Sequence, residues 1–149
     1  MENPVQQVFI NLPVADLPRS RAFYAALGLG FDDRFSDDNA ACVVVSEHIF
    51  LMLLTHEHFA GFAPRPVGDA MQATAAIVAL SRDNRAAVDA FAEAALSAGG
   101  QENKPAMDQG FMYLRSLSDP DGHVLEPMWM DVAAFERTLG DEIDTAVDA

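Results

Sequence analysis

Cysteine is almost absent from this chain of 149 residues. The single cysteine, Cys42, excludes an internal disulfide framework. A chain without disulfides suits a reducing compartment, and residues 1–4 lack the basic and apolar regions of a secretory signal. We therefore expect a cytoplasmic protein. Cys42 lies in an apolar strand pattern, which favours a small buried hydrophobic residue over a nucleophile.

Positive charge is also scarce. The chain has 9 Lys and Arg against 23 Asp and Glu, which gives a net charge of −14. Such a chain repels nucleic acid and anionic membrane surfaces. No apolar run approaches the length needed to span a bilayer. We expect no nucleic-acid partner and no membrane partner, which leaves small molecules or other protein chains.

Common catalytic motifs are missing too. No Gly-x-Ser-x-Gly sequence is present, which argues against a serine hydrolase. Gly28-Leu29-Gly30 follows a predicted helix rather than a strand, and no third glycine completes a dinucleotide fingerprint. His56 and His58 begin a loop without a third ligand nearby, so a solvated loop is favoured over a metal site.

The sequence does contain enough apolar residues, 50%, for one domain over residues 1–149. A strand–helix–strand–strand–strand unit is predicted over 5–55, with its helix capped by Asp16 and ended by Gly28. An irregular connecting segment covers 56–73, and a second unit of the same order covers 74–130.

The predicted boundaries follow from the apolar periodicity and the turn residues. The first unit has strands over 5–12, 29–35, 40–45 and 49–55. The second has a strand over 74–80, a helix capped by Ser81 or Asp83, a short strand over 101–105, and a hairpin of 111–117 with 123–130. A short helix over 131–139 and a frayed acidic tail end the chain.

The hairpin contains the most informative stretch of the sequence. Asp119-Pro120-Asp121-Gly122 has the residues that a type I turn favours, with Asp first, Pro second and Gly fourth. Glu126 follows among apolar strand residues. A carboxylate there is costly to bury unless it is paired, ligates a metal or takes part in binding or catalysis. We favour a role in a pocket. A buried glutamate bonded to an arginine or a backbone amide is the simpler alternative.

Two motifs carry a resemblance to a known superfamily. They are Val14-Ala15-Asp16-Leu17-x-x-Ser20-x-x-Phe23-Tyr24-x-x-Leu27-Gly28 and Asp119-Pro120-Asp121-Gly122-x-x-x-Glu126. With the two βαβββ units, they resemble the glyoxalase, bleomycin-resistance and extradiol-dioxygenase group, also called vicinal oxygen chelate proteins, over residues 5–130. Within that group the chain looks most like uncharacterised glyoxalase-like, or lactoylglutathione-lyase-like, proteins.

The resemblance implies an α+β fold of tandem βαβββ modules that form a curled mixed sheet around a cavity, commonly completed by a homodimer. Active members hold a divalent metal through His, Gln or Glu from the first and last strands of each module. Glu126 matches the last of these positions. The other three fall on Phe9, Leu53 and Ile77, which carry no donor atoms for such an ion. We therefore expect no cofactor, and a divalent metal is disfavoured.

Without a metal, the cavity that the resemblance implies would be an apolar small-molecule pocket with a few polar contacts. Alternate residues of a strand share one face, which groups Gln7 and Asn11 with Phe9. The predicted ligand-binding residues are Gln7, Phe9, Asn11, Leu53, Tyr113 and Met128, with Glu126 as the candidate catalytic base or ligand contact. For Tyr113, packing in the core with its hydroxyl at the rim is an equal alternative.

Three classes of function remain open at this point. The first is a metal-independent protein that binds a small organic molecule, which the carboxylate in an apolar lining favours. The second is an enzyme, either a lyase or isomerase that uses Glu126 as a base, or a metal-dependent lyase, isomerase or dioxygenase with displaced ligands. The third is a structural or interaction protein in which an ancestral site has decayed.

Overall fold

Two mixed β-sheets and four α-helices make up residues 6–147, the part of the chain that this computed structural model describes. In chain order the elements are β1 Val8–Val14, α1 Leu17–Ala26, β2 Gly30–Phe31, β3 Ala40–Val44, β4 Ile49–Thr55, α2 His56–Phe62, β5 Ile77–Ser81, α3 Arg85–Ser97, β6 Gln101–Glu102, β7 Met107–Asp108, β8 Met112–Leu114, β9 Leu117–Ser118, β10 Val124–Met130 and α4 Val132–Val147.

Each half of the chain folds into a sheet with the same arrangement. The first sheet has the order β1-β4-β3-β2, with β1 parallel to β4. In the second sheet, β10 pairs in parallel with β5 on one side and antiparallel with β8 and β9 on the other. Strands β6 and β7 lie beyond β9 and β8. The predicted tandem βαβββ fold is confirmed, although the strands form two sheets rather than one.

One hydrophobic core lies between helices α1 and α3 and one face of each sheet. The cluster includes Leu12 and Val14 from β1, Leu51 and Leu53 from β4, Phe23 and Tyr24 from α1, Phe91, Ala92 and Ala95 from α3, and Leu117 and Leu125 from the second sheet. Because strand residues alternate between faces, the residues between these positions lie on the opposite side of each sheet. That opposite side is called the open face below.

Helix starts are set by short polar side chains. Asp16 caps α1 by accepting a hydrogen bond from the Arg19 N–H at 3.0 Å, as predicted. The predicted caps of α3, Ser81 and Asp83, are wrong. Asn84 caps this helix, and its side-chain oxygen accepts from the Ala87 N–H at 2.8 Å. Asn is as strong an N-cap as Asp, so the sequence alone could not choose between neighbouring candidates.

Other predicted boundaries also need correction. The first strand continues to Val14 instead of ending at residue 12, and the strand predicted over 74–80 begins at Ile77. The strand predicted over 29–35 is reduced to Gly30–Phe31, because the Asp32 side chain accepts from the Arg34 N–H and begins a turn of 3₁₀-helix. The segment 56–73, predicted to be irregular, begins with α2, which is capped by the Thr55 hydroxyl.

The C-terminal helix is longer than predicted. Helix α4 starts after Asp131, whose carboxylate accepts from the Ala134 N–H at 3.0 Å, and it continues to Val147. Phe135 packs on Phe111 with ring centroids 5.2 Å apart, whereas Ile143 is exposed. No helix within residues 6–147 combines the length and the apolar character needed to cross a membrane.

Candidate functional site

The Asp119–Gly122 turn leads directly into the strand that carries Glu126. The Gly122 N–H donates to the Asp119 carbonyl at 3.0 Å, which confirms the predicted turn. The Asp119 carboxylate also accepts from the backbone N–H groups of Asp121 and His123, both at 2.9 Å. These contacts fix the turn and set where β10 begins.

The same turn binds the two halves of the molecule together. Asp121 accepts from the Ala15 N–H at 2.9 Å and from the Ser20 hydroxyl at 3.3 Å. Arg19 donates to the same carboxylate at 3.2 Å. His123 donates from Nε2 to the Pro13 carbonyl at 2.7 Å. The turn motif is therefore a structural joint between β1–α1 and the hairpin.

A buried hydrogen bond completes this joint. The Tyr24 hydroxyl donates to Asp119 at 2.8 Å, and the Asp119 residue is only 3% exposed. Burial raises the pKa of the Asp119 carboxyl above its usual value. Burial and the neighbouring Asp119 carboxylate also raise the pKa of Tyr24. Because Asp119 and Asp121 are occupied in this way, neither carboxylate is free for a ligand.

The environment of Glu126 differs from that of Asp119 and Asp121. It is half-buried on the open face of β10, between the buried core-facing residues Leu125 and Pro127, and its partner in the sheet is Ala79 of β5. Within residues 6–147 the Glu126 side chain makes no hydrogen bond and no ion pair. The simpler alternative, a glutamate paired with an arginine or an amide, is thus not what the structure has.

A cleft of about 550 Å³ lies beside Glu126. Its apolar part is formed by β5, β10 and the connecting segment, and its polar part by β6, β9 and the loops beside them. The lining residues central to this description are Met71, Ile77, Asn103, Lys104, Ser118 and Glu126. A half-open cleft with an unpartnered carboxylate can take a small molecule that presents a hydrogen-bond donor or a cation.

The structure does not bring Gln7 or Asn11 together with Glu126. Gln7 is exposed and precedes β1. Asn11 lies on the open face of β1, where its amide donates to the Phe9 carbonyl at 3.2 Å. It lines a separate, neighbouring cavity of about 310 Å³ between β1, the segment 68–76 and the Gly122 turn.

Phe9 stays on the open face of β1 but does not reach the cleft. Its ring stacks on Phe50 with centroids 4.8 Å apart, and the residue is 42% exposed. Beside Phe9, much of the open face of the first sheet consists of side chains that are themselves buried, which include Cys42 and Leu54. Burial raises the pKa of the Cys42 thiol, in keeping with an unreactive hydrophobic role.

Two predicted ligand-binding residues point away from the open face. Leu53 is fully buried in the core and pairs with Leu12, so its assignment to the pocket is corrected. Tyr113 faces α3, where its hydroxyl donates to Asp89 at 2.6 Å, so it does not reach the cleft either. Met128 does share the open face with Glu126, but it lies outside the lining of the cleft.

Lys104 and Asn103 line the cleft, and sequence reasoning missed both. They lie between β6 and β7, where the chain bulges out of the sheet. Glu102 pairs with Leu117 and Met107 pairs with Leu114. Five residue steps on this strand are therefore opposite only three on its partner. Such bulges redirect side chains and recur beside functional sites. The only signal in the sequence is Pro105, which interrupts strand pairing.

The donor atoms around Glu126 do not fit the metal centre that the fold suggests. On the open face, the four strands that would hold it carry mostly hydrocarbon or thioether side chains, among them Phe9, Met52, Ile77 and Val124. Among the described residues of these strands, Asn11, Ser81 and Glu126 have side-chain oxygen atoms on that face. Within residues 6–147 no group of three or more His, Cys, Asp or Glu side chains is placed to hold a metal ion. Hard and borderline cations need more ligands than this.

The fold is that of the glyoxalase/bleomycin resistance/dioxygenase proteins. The chain is similar to a glyoxalase-related enzyme from Fulvimarina pelagi, with 21% identity and a TM-score of 0.71 over 83% of this chain and 87% of that one. It is also similar to a glyoxalase/bleomycin resistance protein/dioxygenase family enzyme from Burkholderia phytofirmans PsJN, with 19% identity and a TM-score of 0.68 over 82% and 96%.

A third similar structure is a bleomycin resistance determinant encoded on the transposon Tn5, at 24% identity and a TM-score of 0.58 over 85% of this chain and 98% of that one. Residues 6–46 match the family described as bleomycin resistance protein-like N-terminal. The solved structures therefore show that the chain has the glyoxalase/bleomycin resistance/dioxygenase fold, and over residues 6–46 its sequence resembles the bleomycin resistance protein-like N-terminal family. No curated protein matches its sequence.

Proposed function

We propose that the chain binds a small organic molecule in the cleft beside Glu126, without the metal centre of its superfamily. The observation that carries this proposal is an unpartnered, half-buried carboxylate in a cleft of about 550 Å³. A carboxylate without a partner inside a cleft is available to accept a hydrogen bond from a bound donor or to pair with a bound cation. A structural protein with a decayed site has no need of such a group.

The lining supports a ligand with two kinds of surface. Met71, Ile77 and Val124 offer apolar contact, and Glu126 offers a charged acceptor. The apolar atoms supply affinity through burial, whereas the single carboxylate orients the ligand. The similar protein encoded on Tn5 is described as a bleomycin resistance determinant, so bleomycin is one molecule to test.

We propose further that the functional form is a homodimer. Within the described residues, β1 pairs only with β4 and β5 only with β10, so each leaves one edge without a strand partner. Val8, Phe9 and Ile77 on these edge strands are 49%, 42% and 56% exposed. Exposed apolar edge strands are unusual on a lone chain and are covered by pairing with another strand.

The lone cysteine suits a reducing compartment, and we propose the cytoplasm, which fractionation of the source cells would test.

The binding proposal is tested by titrating the ¹⁵N-labelled protein with metal-free bleomycin and with small organic amines in the presence of EDTA. We expect saturable shifts of amide signals from Ile77, Asn103, Val124 and Glu126. The Glu126→Gln variant should bind an amine about tenfold more weakly, and the exposed control Glu47→Gln should bind unchanged. Shifts that appear only when a divalent metal replaces EDTA would overturn the metal-independent part.

A further inference from the structure

The cleft contains a second charged group without a partner. Lys104 is the only lysine of the chain. It is exposed, it lines the cleft, and within residues 6–147 it makes no hydrogen bond and no ion pair. In a protein with net charge −14, an unpaired cation next to the candidate site is a noteworthy placement.

Lys104 and Glu126 lie on opposite sides of the cleft floor. The register that pairs Leu125 with Leu117 places Glu126 opposite Ser116. The Asn103 N–H donates to the Ser116 carbonyl at 2.8 Å, which places Asn103 one strand further on. Two strand spacings separate the backbones by about 10 Å. Lys104 follows Asn103, at the bulge that breaks the regular alternation of the strand.

Polar side chains between these two charges hydrogen-bond to one another. The Asn103 amide donates to the Ser116 hydroxyl at 3.2 Å, and the Ser118 hydroxyl donates to the Asn103 oxygen at 2.8 Å. The floor therefore holds three hydrogen-bonded polar side chains, with an unpaired carboxylate on one side and an unpaired ammonium group on the other.

From this arrangement we infer that the ligand is a zwitterion whose positive and negative groups are several ångströms apart. Its ammonium group binds Glu126, and its carboxylate or other anionic group binds Lys104. This inference rests on the proposed function of the same cleft. A ligand with one charge would pair with one of these groups and leave the other without a partner in the cleft.

Three probes of equal chain length separate these cases: ε-aminocaproate carries both charges, hexylamine only the positive one, and caproate only the negative one. Because the chain has one lysine, reductive methylation with ¹³C-formaldehyde places a label on Lys104 and on the N-terminal amine alone, and it keeps the charge. We expect ε-aminocaproate to shift the Lys104 methyl signal and to bind at least about fivefold more tightly than either single-charge probe, the effect of one partly exposed ion pair.

Two variants assign the ends of the ligand. Glu126→Gln should weaken hexylamine and ε-aminocaproate but not caproate, as followed by backbone amide shifts. Lys104→Met should weaken caproate and ε-aminocaproate but not hexylamine. Arg65→Met removes an exposed cation outside the cleft and is the matched control, for which we expect unchanged binding.

The outcomes separate this inference from the proposal on which it rests. If hexylamine binds as tightly as ε-aminocaproate and Lys104→Met changes nothing, the zwitterion is overturned while a cation-binding cleft stands. If none of the three probes binds, both the inference and the proposed cleft function are overturned.

Discussion

Two carboxylates seven residues apart have opposite environments in this protein. Asp119 is buried and accepts hydrogen bonds from Tyr24 and from two backbone N–H groups. Glu126 is half-buried and has no partner within the described residues. The first therefore contributes to the structure, and the second is available for binding. Both lie within the motif that carries the superfamily resemblance.

The buried Asp119 should make stability depend on pH. Its raised pKa means that the folded chain holds the proton more tightly than the unfolded chain. The stabilisation is therefore complete below the ordinary aspartate pKa of about 4 and is lost as pH rises through the raised folded value. Asp119→Asn cannot titrate, so we expect urea denaturation to show the wild type losing stability relative to this variant as pH rises through that window. Parallel curves for the two proteins would contradict this assignment.

At the scale of secondary-structure elements, the connection between the halves depends on Gly122. Its φ is +92°, and a Cβ there would lie 2.8 Å from backbone atoms of Ala70 and Met71. The turn thus needs a glycine both for its own conformation and for the close approach of the connecting segment.

Replacing this glycine has a matched control within the chain. Gly110 also has a positive φ, +80°, but a Cβ there would meet nothing within 4 Å. We expect Gly110→Ala to lower the free energy of unfolding by about 1–2 kcal/mol through backbone strain alone. Gly122→Ala should cost at least about 1 kcal/mol more, because the connecting segment must move. If thermal or urea denaturation gave the same loss of unfolding free energy for both variants, the close contact with Ala70 would add nothing to the cost of replacing Gly122.

The elements also show which features the sequence could predict. The Asp16 cap and the Asp119–Gly122 turn follow from local chemistry, and the structure has both of them. The face of Leu53 could not be predicted in this way. Strand β4 is apolar on both faces, so alternation carries no information about which residues meet the helices.

Long-range contacts set the remaining positions. Tyr113 faces α3 because Asp89 on that helix accepts its hydroxyl, and the two residues are 24 positions apart in the chain. Lys104 reaches the cleft because of a bulge, which depends on how two distant strands align. Neither contact leaves a periodic signal in the local sequence, so this part of the cleft could not be predicted from it.

At the scale of the whole molecule, the unpaired edges of β1 and β5 predict self-association. Val8→Lys places a charge on the exposed edge strand β1, and charged edge residues oppose strand pairing. We expect light scattering after size exclusion to give a dimer for the wild type and a shift toward monomer for this variant. Phe62→Lys, at a residue of α2 that is 74% exposed, is the control and should stay dimeric. A monomeric wild type would contradict the homodimer.

The most direct test of the account is the metal content of the purified protein, measured by elemental analysis after incubation with Ni, Zn, Mn and Fe(II) followed by desalting. The open face offers Glu126 with the weaker oxygen donors Asn11 and Ser81, and no group of three or more acidic, His or Cys side chains within residues 6–147 could hold an ion. We expect far less than one metal per chain, at a level that Glu126→Ala does not change. Near-stoichiometric metal that Glu126→Ala abolishes would contradict the account and indicate a metal-dependent member of the superfamily.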